Sequence, residues 1–213
     1  MNERAGSPEE LINEAVGLPY GEERARMLTD ALLLDDGRDP LARGVALAML
    51  AQQDPAYLPR ADQALRAVDQ SAPETGWILV HLAEARMSAG RAAEAGEAAA
   101  AVDRDYFDRE DLHWRSVRMD EIRCAALLRM GRPREGAELA ERVCAELAVR
   151  GDTDDLAPPD LLAEAALDLL SGPDAGTGCA VLRMLAGSIE LDSWFPAGLV
   201  LRIRRGLAEC DQG

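Results

Sequence analysis

Three carboxylates stand close together in the stretch LLLDDGRDP (residues 32–40): Asp35, Asp36 and Asp39, in a D-D-x-x-D spacing. On one face of a helix such a set could hold magnesium against a substrate diphosphate. That chemistry needs a helix running unbroken through the motif and an apolar cavity in front of it. Gly37 interrupts the run, because glycine is costly inside a helix. Asp39 followed by Pro40 has the form of a helix start, with a carboxylate capping free N–H groups and proline in the first turn. No second aspartate-rich or N-S-E metal motif accompanies it. The spacing predicts a bend between two helices; a metal-dependent helical enzyme using Asp35, Asp36 and Asp39 is the alternative.

Other arrangements point less clearly to chemistry. DRDYFDREDLHW, from Asp103, resembles a calcium loop in its acids, but Phe107 occupies a ligand position and no Gly makes the sharp turn. DTDDL, from Asp152, fails in the same way at Leu156. Tyr106, Phe107 and Trp114 could anchor a partner beside that charge or tuck under adjoining helices. Only His81 and His113 could serve a nucleophile, and His81 lies in an apolar helical run. All 23 basic residues are Arg, so Schiff-base chemistry through Lys and the usual phosphate loop ending G-K-[ST] are excluded. No catalytic residue, metal ligand set or cofactor is assigned, and the chain reads as non-enzymatic.

The composition sets bounds on partners. With 213 residues and 48% apolar content, the chain can bury a substantial core. A formal charge of -16 disfavours nucleic-acid phosphates and anionic lipid as partners and favours a basic protein or peptide. The Arg, Ala and Gly bias matches a bacterial high-GC composition. Cys124, Cys144, Cys179 and Cys210 form no C-x-x-C pair and no ligand spacing with either His. Three of them sit among apolar helical residues, as small buried hydrophobes do. The start, MNERAGSPEELINEA, lacks the basic and apolar regions of a signal peptide, and no apolar run reaches a membrane span. These features predict a reduced, cytoplasmic protein.

Helix punctuation recurs along the chain. SPEE from Ser7 is a capping box with Pro8 at the first helical position, and SAPE from Ser71 offers another. Asp54-Pro55 repeats the aspartate–proline start, Pro133 opens a further helix, and Pro158, Pro159 and Asp160 lead into Leu161. Between these signals apolar residues follow a helical period, and WILVHLAEARM (77–87) is apolar nearly all round, as in a helix buried on several sides. The pattern predicts an all-α chain of about eleven helices, joined by short polar loops. The longer acidic stretches at Asp103 and Gly151, and SGPDAGTG from Ser171, read as irregular.

Two stretches align with each other at an offset of 41 residues. ARMSAGRAAEAGEAAAAV from Ala85 matches ALLRMGRPREGAELAERV from Ala126, pairing Gly90 with Gly131, Arg91 with Arg132, Glu94 with Glu135, Ala99 with Ala140 and Val102 with Val143. Each copy reads as a helix, a Gly-Arg turn, and a helix with small residues on its inner face. With Leu82, Ala83, Ala95 and Ala99 in the first copy, and Cys124, Leu127, Ala137 and Ala140 in the second, the chain resembles a divergent tetratricopeptide repeat protein. The offset exceeds that family's period of about 34 residues, and the excess falls in the stretch after Asp103. GEERARMLTDAL from Gly21 and YLPRADQALRAV from Tyr57 look like further second helices of hairpins.

The resemblance implies antiparallel hairpins stacked in a right-handed superhelix, an α-solenoid, over residues 1–150. Residues 151–213 would then form a divergent hairpin and C-terminal capping helices continuous with it. It implies a protein–protein interaction or regulatory module that takes a peptide or partner helix in a concave groove. Trp77, Val80, Glu84, Met87, Arg118, Glu121, Ala125 and Arg129 would face that groove. Trp77 and Met87 would supply apolar anchoring, and the charged positions would set register. A small-molecule sensor, with its ligand between hairpins near Trp77 or Trp114, is a further alternative. The last helix, from Pro196, carries Arg202, Arg204 and Arg205 and reads as a cap over the final apolar face. Apolar ends of the stack would also let two copies pair as a homodimer.

Overall fold

The Ser7 hydroxyl accepts the Glu10 N–H (3.2 Å) while the Glu10 carboxylate accepts the Ser7 N–H (2.7 Å), closing the expected capping box at the start of the first helix. The computed structural model describes residues 7–150 and 158–212, and these form thirteen α-helices, two short 3-10 turns and no strand. The chain divides into two compact units: residues 1–91 with 101–106, and residues 92–100 with 107–213. The 150/151 boundary read from the sequence borders the undescribed residues 151–157, whereas the compact units divide near residue 91.

The first unit contains α1 (Pro8–Val16), α2 (Glu22–Leu34), α3 (Pro40–Gln53), α4 (Leu58–Ala67) and α5 (Gly76–Ser88). The central helix α3 packs on α1, α2, α4 and α5. One face of α3, through Ala46, Met49 and Leu50, meets Ile12, Ala15, Leu28 and Ala31. The other, through Leu47, Ala48 and Ala51, meets Leu58, Ala61, Ile78, Leu82 and Ala85. Burial of each such Leu or Ile contributes about 2 kcal/mol. Small residues set the spacing: a Cβ on Gly44 would lie 2.3 Å from the Ile78 Cδ1. As its apolar circumference predicted, α5 is buried over most of its length.

The second unit contains α6 (Ala92–Ala100), the end of α7 (Arg104–Arg109), α8 (His113–Arg129), α9 (Pro133–Arg150), α10 (Asp160–Leu169), α11 (Ala175–Ser188), α12 (Leu191–Trp194) and α13 (Ala197–Cys210). Here α8 packs against α6, α9 and α10, while α11 packs against α9 and α10. One hairpin, α8–α9, therefore lies alongside the next, α10–α11. Close contact again depends on glycine. A Cβ on Gly136 would come within 2.5 Å of Leu128 Cδ2, and one on Gly178 within 2.6 Å of the Ala166 carbonyl oxygen.

The two aligned stretches share their turn geometry. Gly90 (φ 75°) and Gly131 (φ 72°) both adopt the left-handed conformation that glycine tolerates best. In the first turn the Arg91 N–H donates to the Arg86 carbonyl (2.8 Å); in the second the Arg132 N–H donates to the Leu127 carbonyl (2.9 Å). These are the same six-residue closures of a helix end, offset by 41 residues.

Several expectations need correction. SAPE forms no capping box: Asp69 accepts both the Ser71 N–H (2.9 Å) and hydroxyl (2.7 Å), and residues Pro73–Thr75 make a 3-10 turn. The stretch after Asp103 is helical as α7, because Asp103 accepts the Tyr106 N–H (3.3 Å) and Phe107 is driven fully inside. SGPDAGTG is only half irregular, since α11 starts at Ala175 and runs through its last two glycines. The acidic stretch at Gly151 lies largely outside the described residues. The reduced state is also corrected. Cys179 on α11 and Cys210 on α13 form a disulfide, with their Sγ atoms 1.99 Å apart across 31 residues of sequence.

Candidate functional site

The aspartates of DDGRDP sit where α2 ends and α3 begins. Asp35 accepts the Gly37 N–H (2.9 Å) and pairs with Arg43 (2.9 Å). Asp36 accepts the Arg38 N–H (3.1 Å) and pairs with its side chain (3.1 Å). Asp39 caps α3 by accepting the Ala42 N–H (2.9 Å). Each carboxylate thus has a role in shaping the bend. They border an open cleft of about 310 Å³ floored by Ile12, Ala31, Leu32 and Ala46. Among the described residues, no group of three or more His, Cys, Asp or Glu side chains is placed to hold a metal ion.

The residues expected to line a groove fall into two sets. Val80, Met87, Glu121 and Ala125 are buried, each at most 2% exposed. Trp77, Glu84 and Arg118 are half-buried, and Arg129 is exposed. Trp77, Val80, Glu84 and Met87 belong to the first unit, and Arg118, Glu121, Ala125 and Arg129 to the second.

In the first unit the polar positions tie α2, α3 and α5 together. The Gln52 amide nitrogen donates to the Glu84 carboxylate and lies 3.1 Å from His81 Nδ1. Its oxygen accepts from the Arg24 guanidinium (3.1 Å), whose plane lies against the Tyr20 ring. Arg24 and His81 are both buried, and a side chain at the end of α3 partners one nitrogen of each. A second tie joins α4 to α5 through Arg86 and Asp62 (2.7 Å).

In the second unit a charged clasp fastens α8 to the start of α10. Glu121 Oε1 accepts the Leu162 N–H (3.1 Å), and Oε2 accepts from the Arg118 guanidinium (2.5 Å). The same Arg118 nitrogen reaches Asp160 Oδ1 (2.8 Å) and the Pro158 carbonyl (3.3 Å). A side chain of one helix therefore satisfies an N–H that the first turn of another leaves open. Burial pushes the Glu121 carboxyl up to about 7, against the opposing pull of Arg118 and the Leu162 N–H. Further along, Arg129 pairs with Asp168 (3.5 Å), and Arg202 of α13 takes both oxygens of Glu164 (2.6 and 2.8 Å).

The histidines and thiols also have structural partners. His113 lies between Asp108 (2.8 Å) and Glu146 (3.0 Å), while Ser116 donates to Asp108 and not to the imidazole. Burial raises Cys124 and Cys144, the latter to about 11, which holds both as thiols at neutral pH. The cluster of Arg202, Arg204 and Arg205 is matched by Glu164, Asp192 and Glu209.

Sequence reasoning did not find Gln52, Arg24, the pairing of Asp160 with Arg118, or the Cys179–Cys210 bond. For Gln52 a signal existed, as a polar residue ending an otherwise apolar helix. For the disulfide none did, because its partners are set by how α11 and α13 meet. Among the described residues no helix is long and apolar enough to cross a membrane. No family model matches this chain, and neither a curated protein nor a solved structure matches it.

Proposed function

We propose that this chain is a non-enzymatic interaction module of tetratricopeptide-like helical hairpins that takes a peptide or partner helix. The observation that carries the reading is the repeated helix-end closure at Gly90–Arg91 and Gly131–Arg132, together with the side-by-side hairpins α8–α9 and α10–α11. Stacked hairpins bury their apolar faces on one another and leave polar helix faces for recognition. Trp77 and Glu84 on α5 and Arg129 on α8 are the positions of the expected groove that reach solvent without forming the Glu121 clasp. A partly exposed Trp is an effective anchor, and an acidic chain favours a basic partner.

The test is capture from native extract by the full chain, compared with Trp77→Ala and Arg129→Glu forms whose helicity is checked by circular dichroism. Arg118 is left unchanged, because its loss would damage the clasp. A protein retained by the native chain at moderate salt, and at least tenfold less by one folded variant, is the expected result. Equal retention by all three forms would discard these positions, and no specific retention would discard the module reading.

A further inference from the structure

The last helix is held by little apolar burial of its own. Of its fourteen residues only Val200, Ile203 and Gly206 are buried, and Leu201 is 68% exposed. Gly206 sits over Leu167 of α10, Leu170 just past its end and Leu182 of α11, where an added Cβ would fall 2.8 Å from the Leu170 Cδ1. The described polar ties are the Arg183 hydrogen bond to the Cys210 carbonyl (3.2 Å) and the ion pairs Arg202–Glu164, Arg204–Asp192 and Arg183–Asp211, which lie at the surface and are weak and screened by salt. The Cys179–Cys210 bond fixes the C-terminal end of α13 to the first half of α11. Both cysteines are partly exposed, unlike the buried thiols Cys124 and Cys144.

We infer that the Cys179–Cys210 disulfide is a redox latch: oxidised, it keeps α13 seated over Leu167, Leu170 and Leu182; reduced, it frees α13 and bares that apolar floor. The reductant is a dithiol. One of its thiolates attacks a sulfur of the pair and displaces the other cysteine as a thiolate, forming a mixed disulfide. The second thiol of the reductant then resolves that intermediate. Two electrons pass to the protein, both cysteines end as thiols after protonation, and the reductant leaves as a disulfide. Against the unfolded chain, closing a loop of this length is worth about a hundredfold or more, the same order as the burial of Val200 and Ile203.

The latch is open to direct test on the full chain with dithiothreitol. Thiol counting in denaturant should give two free thiols in the oxidised protein and four after reduction; four before reduction would overturn the proposal. Under native conditions trypsin should cut after Arg202, Arg204 and Arg205 at least tenfold faster in the reduced protein. Equal rates would overturn it, as would new cleavage after the buried Arg24 and Arg115, which would mean general unfolding. The Cys179→Ser, Cys210→Ser double variant should be cut at the fast rate with or without dithiothreitol. A response of that variant to the reductant would place the effect elsewhere and also overturn the latch.

Discussion

Helix α3 holds α5 in the first unit, and α8 holds α10 in the second, through polar side chains of different kinds. Gln52 is a neutral amide that donates to Glu84 and accepts from Arg24. Glu121 is a carboxyl, almost wholly buried, that accepts one guanidinium N–H and one backbone N–H. The amide can be buried without a desolvated charge, so its removal costs mainly its own hydrogen bonds. The carboxyl commits a cation and a helix start to one place, and losing it strips the Leu162 N–H of its side-chain acceptor and leaves Arg118 to Asp160 and the Pro158 carbonyl. The second contact is therefore the more brittle and the more sensitive to its medium.

The largest effect expected is at Glu121. Its replacement by Ala leaves the Leu162 N–H and part of the Arg118 guanidinium unsatisfied, and should cost about 4 kcal/mol in urea unfolding. A cost equal to that of the Gln52 change would erase the distinction. Glu121→Gln keeps an acceptor oxygen without the charge, and it isolates the pH effect. Burial raises the native carboxyl from its ordinary 4.5 to about 7. The folded state thus binds this proton more tightly than the unfolded chain. Its contribution is fully present below pH 4.5 and is lost as pH rises through about 7, for a total of about 3 kcal/mol. Stability of the native chain relative to Glu121→Gln should fall by that amount between pH 4.5 and 8, and a flat difference would count against it.

Helix spacing offers a smaller contrast. At Gly178 an added methyl meets the Ala166 carbonyl, which is backbone and cannot swing aside, so Gly178→Ala should destabilise by about 2 kcal/mol. At Gly44 the obstacle is the end of the Ile78 side chain, and the helix gains propensity from Ala; Gly44→Ala should change stability by less than about 1 kcal/mol. Thermal midpoints of the two variants give the order, and a reversed order would mean that α10 and α11 separate more easily than α3 and α5. Gln52→Ala should cost about 1 kcal/mol by urea midpoint, since Gln52 and Glu84 are only half-buried and water can replace part of what is lost.

What could be read from the chain beforehand follows the range of the interactions. Ser7 with Glu10, Asp39 with Pro40, and the left-handed glycines at 90 and 131 act within a few residues, and the sequence displays them directly. The all-helical architecture follows from the apolar period. The metal-like aspartates resolve into a bend for the same local reason. SAPE misled because Asp69, two residues upstream, competes for the Ser71 donors. Glu121 and Leu162 lie 41 residues apart, and the two disulfide cysteines 31 apart. Nothing in the local pattern of either pair distinguishes it from a helix-surface acid or a buried thiol. Burial also divided the expected groove residues, because helices packed on several sides hide positions that a single-hairpin pattern would leave open.

The side-chain cap on α10 also governs where the chain can be cut. The described side-chain bonds to the first turn of α10 come from Glu121 and Arg118, both on α8, so the address of that helix is written across space. Severing the backbone between residues 150 and 158 would leave that address intact. The two pieces offer a natural basis for a split protein that reassembles from separately expressed fragments.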